Sequence, residues 1–120
     1  MMGRTVSDEE HDLAEKVRYI IVRKYRYRDV DYSASALARD LDVTPARLSG
    51  ILKRHFGENY SSLVNRCRVR DAKRYLLDSR KSAYTVDDIA VMVGFSNRQS
   101  FFSAFKRFTG TTPDKWRKNT

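Results

Sequence analysis

Ile89-Ala90-Val91-Met92-Val93-Gly94-Phe95-Ser96 decides the fold, because it has a second, looser copy earlier in the chain. Leu37-Ala38-Arg39-Asp40-Leu41-Asp42-Val43-Thr44 repeats it at an offset of 52 residues. Each copy is followed by a second amphipathic segment that closes on a basic pair and a glycine. Leu48 to Leu52 leads to Lys53-Arg54 and Gly57, and Phe101 to Phe105 leads to Lys106-Arg107 and Gly110. There the offset is 53, so the turn of the second copy is one residue longer. Repetition at this period marks one supersecondary element used twice. Its spacing is that of a helix, a tight turn and a second helix.

The flanking residues punctuate these elements. Ser33 caps a short helix ending near Asp40; Thr85 caps its counterpart, with Asp88 at the third position to close a capping box. Asp42-Val43 and Gly94-Phe95 make the turns, since glycine and aspartate tolerate a left-handed backbone. Thr44 and Ser96 are read as N-caps of the two second helices, Thr44 being followed by Pro45 at a position whose missing N–H costs nothing. Leu37, Ala38, Leu41, Val43, Leu48 and Leu52 in the first copy, and Ile89, Ala90, Val93, Phe95, Phe101 and Phe105 in the second, are the expected core.

Between the copies, Asn59 or Tyr60 to Asp78 lacks Gly and Pro and reads as one long helix. About 19 residues span roughly 28 Å, against the roughly 34 Å helical repeat of B-DNA. A rigid linker of this length could hold two reading heads one turn apart. Its basic face, Arg66, Arg68, Arg70, Lys73 and Arg74, reads as a solvated stripe partly paired to Asp71 or Asp78. Upstream, Ser7 with Asp8, Glu9 and Glu10 opens a helix of roughly residues 8 to 27 through Leu13, Val17, Ile20 and Ile21. Its basic and aromatic end, Arg23 to Arg28, reads as a helix end packed on its neighbour. Ser82-Ala83-Tyr84 is a short connection, and Thr112-Pro113 starts a last helical turn anchored by Trp116. The expected architecture is all-α, two helix-turn-helix subdomains joined by a linker helix. The division is an unstructured start at 1–7, a first lobe at 8–57, the linker at 58–79 and a second lobe at 80–120.

Composition narrows the function. The chain has 120 residues with 24 basic and 15 acidic side chains, a net charge of +9 and a pI near 9.9. The excess lies towards the carboxyl end: residues 80–120 hold eight basic and three acidic side chains. Such a balance suits phosphates. A single cysteine, Cys67, allows no internal disulfide, and two separated histidines offer no metal-ligand spacing. There is no Gly-rich phosphate loop and there are no clustered carboxylates at a plausible site, so no cofactor, metal or catalytic residue is expected, and the chain is not read as an enzyme. No apolar run suggests a signal peptide or a membrane span; a cytoplasmic protein is expected.

With Gly94-Phe95-Ser96, Phe101, Phe105-Lys106-Arg107, Gly110 and Thr112-Pro113-Asp114-Lys115-Trp116-Arg117 in place, the chain resembles the carboxyl-terminal DNA-binding domain of the AraC/XylS family of bacterial transcription regulators. Arg68-Val69, Ala72 and Leu76-Leu77 fit the linker pattern; Leu48, Leu52-Lys53 and Gly57 fit the first unit. The resemblance spans about residues 10 to 118. It implies seven helices and a monomeric domain that places two recognition helices in neighbouring major-groove segments of double-stranded DNA. It further implies regulation of transcription, often activation through RNA polymerase, in a bacterial cytoplasm.

A recognition helix offers the exposed side of its first turns to base edges. The base-edge candidates are Ala46, Arg47, Ser49 and Gly50 in the first unit and Asn97, Arg98, Gln99 and Ser103, beside Phe102, in the second. Arginine suits guanine and glutamine suits adenine. Phosphate candidates are the caps Ser33, Thr44, Thr85 and Ser96 and the basic Lys53, Lys106 and Arg107. Gly50 and Ser103 stand where relatives often carry a long polar or arginine side chain, so the first unit is expected to read mostly backbone and shape. The competing reading is a basic helical module that docks a protein and binds DNA without sequence preference.

Overall fold

The computed structural model describes residues 3, 5–78 and 84–119. These form seven α-helices: α1 (Val6–Arg18), α2 (Ala34–Asp40), α3 (Pro45–Phe56), α4 (Tyr60–Leu77), α5 (Val86–Val93), α6 (Arg98–Thr109) and α7 (Pro113–Lys118). Among the described residues there is no strand, and no helix is long and apolar enough to cross a membrane. The chain divides into two compact units, residues 1–26 with 31–63 and residues 27–30 with 64–120.

The first unit starts earlier than its sequence suggests. Thr5, not Ser7, caps α1: its hydroxyl accepts from the Asp8 N–H at 3.0 Å while Asp8 accepts from the Thr5 N–H at 3.2 Å. Ser7 also has an acid three residues on, but Glu10 is held by Arg54 and His55, whereas Thr5 and Asp8 close a reciprocal capping box. Of the expected unstructured start at 1–7, Met1, Met2 and Arg4 lie outside the described residues. Nor does one helix run to residue 27. α1 ends at Arg18, a π-helical turn spans Tyr19–Arg23, and Tyr25 takes a positive φ of 59° before a 3₁₀ turn at Arg26–Arg28. A side chain as large as tyrosine rarely adopts that backbone, and it ends the helix where the apolar spacing decays. Ala14, Val17 and Ile21 are buried with Leu37, Ala38, Leu41, Leu48, Ile51 and Leu52. Val43, expected in the core, is half-buried.

The second unit is built on Val69, Ala72 and Leu76 of α4, Val86, Ile89, Ala90 and Val93 of α5, and Phe95, Phe101, Ala104 and Phe105. The aromatics interlock: Phe101 lies 5.2 Å from Phe95 and 5.7 Å from Phe105, and Trp116 of α7 closes on Phe105 at 5.9 Å. The linker's basic stripe is not wholly solvated. Asp71 is buried and accepts from the Tyr27 hydroxyl at 2.6 Å and from Arg28 Nε at 2.8 Å. Half-buried Arg68 donates to the Tyr27 carbonyl and to Asn65 and lies 5.5 Å above the Phe95 ring. Ser82 and Ala83 of the connection before α5 lie outside the described residues.

Candidate nucleic-acid interface

Each unit builds the same device. In the first, Asp42 turns the chain with φ 55°, the Val43 N–H donates to the Ala38 carbonyl at 3.0 Å, and the Thr44 hydroxyl accepts from the Arg47 N–H at 3.1 Å to start α3. In the second, Gly94 turns the chain with φ 112° and the Phe95 N–H donates to the Ala90 carbonyl at 2.9 Å. The cap of α6, however, is Asn97, whose Oδ1 accepts from the Ser100 N–H at 2.8 Å. Ser96 is therefore the extra residue of the longer turn, and its expected capping role is corrected. The offset of 53 that aligns the second helices maps Thr44 onto Asn97, so the signal was present in the sequence.

The second helix of each pair buries one face and exposes the other. α3 buries Leu48, Ile51 and Leu52; Ala46, Arg47, Ser49 and Lys53 are exposed and Gly50 is partly covered. α6 buries Phe101, Ala104 and Phe105; Arg98, Gln99, Ser103, Lys106 and Arg107 are exposed and Phe102 is half-buried. Ser33 and Thr85 cap α2 and α5, their hydroxyls accepting from Ala36 and Asp88 at 3.1 and 3.0 Å. α3 and α6 end on left-handed glycines, Gly57 and Gly110, and carry basic residues in the last turn, where they complement the helix dipole.

Two arginines on these helices are held by carboxylates that the sequence reading did not single out. In the second unit, Arg98 Nη1 lies 2.9 Å from Asp87 of α5, Nη2 lies 3.8 Å from Asp114 of α7, and the guanidinium sits 4.5 Å from the Phe102 ring centre. In the first unit, Arg54 donates to both oxygens of Glu10 from α1, Nε to Oε1 at 2.6 Å and Nη2 to Oε2 at 3.2 Å. His55 Nε2 lies 3.1 Å from the same carboxylate. The hydrogen bond from Arg54 holds the Glu10 carboxyl below the usual glutamate range, and the same bond raises the Arg54 guanidinium. Neither pair was legible by spacing, because α1, α5 and α7 meet α3 and α6 only through the tertiary fold.

The model of a family described as a helix-turn-helix domain matches residues 37–119, which hold most of the first device and all of the second. The chain belongs to the AraC-type helix-turn-helix family. Among curated members it is 32% identical over 97 residues to the raffinose operon transcriptional regulatory protein RafR of Pediococcus pentosaceus, a match covering 78% of this chain and 34% of that protein. The chain thus spans about a third of the length of that relative. Among solved structures, it is similar to the C-terminal domain of AraT, a response regulator from Geobacillus stearothermophilus, with 25% identity, a TM-score of 0.80, and coverage of 90% of this chain and 85% of that one. The DNA-binding domain of the global transcriptional factor AdpA, solved in complex with a target DNA, shares the fold at 22% identity with a TM-score of 0.75, covering 89% and 90% of the two chains.

Proposed function

We propose that this AraC-type domain binds double-stranded DNA in a sequence-selective manner, with α3 and α6 entering adjacent major-groove segments, and that it regulates transcription as an activator in contact with RNA polymerase. The observation that carries the proposal is the duplicated device: two short, side-chain-capped helices, each with an apolar face buried and a polar face exposed, on a chain of net charge +9. The AdpA domain that shares this fold was solved on its DNA target, which supports the same use here.

In this reading Arg98 takes a guanine and Gln99 an adenine, and Asn97 serves chiefly as the cap. Ala46, Arg47 and Ser49 face the first groove segment, Ser103 the second. Lys53, Lys106 and Arg107 supply phosphate contacts, as do the backbone N–H groups behind Thr44 and Thr85. Arg98 must exchange Asp87 for a base edge; both side chains are more than half exposed, and exposed ion pairs are weak enough to yield.

Selection of bound sequences from a random DNA pool, followed by titration of the winner against scrambled DNA at physiological salt, tests the proposal. A preference of about a thousandfold or more for the selected sequence is expected. Binding that fades with salt yet shows no sequence preference would instead mark a basic protein-interaction module.

A further inference from the structure

Gly50 occupies the middle of the exposed side of α3, diametrically opposite the buried Leu48, Ile51 and Leu52 at helical spacing. That place is not bare. A Cβ on Gly50 would stand 2.8 Å from Arg54 Nη2, 2.9 Å from Nη1 and 3.2 Å from Cζ, so the guanidinium from one turn below occupies the space a side chain would fill. Glu10 fixes it there through Nε and Nη2, from a carboxylate whose side chain is only 16% exposed, whereas Arg54 remains 60% exposed. Nη1 donates to no described residue, so the Nη1–Nη2 edge of the fork keeps donors for a ligand.

Stability does not account for this arrangement. Glycine inside a helix disfavours it relative to alanine, and an ion pair whose arginine stays mostly exposed returns little. Nor is the glycine needed for backbone conformation, because Gly50 is not among the positive-φ residues. What Gly50 permits is the position of one guanidinium.

We infer that Arg54, laid over Gly50 and held by Glu10, is the base-reading group of the first unit and takes a guanine edge in the major groove. Glu10 is its positioning residue. This rests on the proposed DNA-binding function and replaces the expectation that the first unit reads mostly backbone and shape. A planar fork held at its inner edge presents two parallel donors to guanine O6 and N7, and restraint beforehand lowers the cost of ordering the side chain on binding.

The experiment compares wild type with Arg54→Lys, Gly50→Ala and Glu10→Gln on the sequence the wild type selects and on single-base-pair variants of it. Arg54→Lys keeps the charge but loses the fork. It should lose about five- to a hundredfold of discrimination at one G·C pair, with binding to scrambled DNA within about twofold of wild type. Gly50→Ala should displace the guanidinium and impair the same base pair while its thermal midpoint stays level or rises, a pairing of effects that a misfolded variant would not show. Glu10→Gln should weaken discrimination at that pair less than Arg54→Lys. Unchanged preference at every base pair in Arg54→Lys, or a uniform loss across all sequences, would overturn the inference and leave DNA reading by the domain intact. If wild type selects no sequence, the DNA-reading function falls and the inference with it.

Discussion

Gly94 illustrates how a single residue can satisfy two demands of which only one is visible in the sequence. Its position after Val93 announced a left-handed turn, and φ is 112°. The second demand is space: a Cβ would stand 2.7 Å from the Tyr27 carbonyl oxygen and 2.7 Å from Arg28 Cα, both backbone atoms that cannot swing aside. Gly94→Ala should therefore cost about 2 kcal/mol or more, measured by urea unfolding; a loss of only a few tenths would show that the segment at Tyr27 yields. The neighbouring cluster was not legible at all, because Asp71 looked like one acid among the bases of a stripe. Burial, and then the hydrogen bond to Asp71, push the Tyr27 hydroxyl up to about 12. A tyrosine raised from its ordinary 10.0 contributes stability that is fully present below about pH 10 and is lost as pH rises through about 12. In unfolding scans between pH 9 and 12, Tyr27→Phe should flatten this alkaline decline; an unchanged profile would remove Tyr27 as its source.

At the scale of elements, the caps and turns were readable because they depend on neighbours in the chain. Ser33, Thr44 and Thr85 each accept the hydrogen bond expected of them, and Thr112 caps α7 in the same way. The misplaced cap of α6 gives a direct test: Asn97→Ala should cost about 1 kcal/mol, whereas Ser96→Ala should change stability by less than about 0.5 kcal/mol, both by thermal unfolding. The reverse order would restore the serine as the cap. The end of the first helix was not readable. Its π-helical turn and the positive φ of Tyr25 arise from where the chain must go after Arg23, and nothing in local propensity favours them.

For the whole molecule, the duplication was legible since each copy needs the same apolar spacing, turn and cap to close its own core. The division into units was less so: residues 27–30 leave the first unit and join the second, a non-local choice made by Tyr27, Arg28 and Asp71 together. Which side chains α3 and α6 expose was legible, because exposure follows from helical period, whereas the carboxylates that hold Arg54 and Arg98 come from other helices. In the proposed function, two unequal heads read one asymmetric stretch of DNA. Guanine methylation interference on the selected sequence tests this most directly, since methylation at N7 blocks major-groove contact. Two blocks of interfering guanines centred about 10 base pairs apart are expected at one domain per site; a single block, or interference spread evenly along the DNA, would rule out two-headed reading.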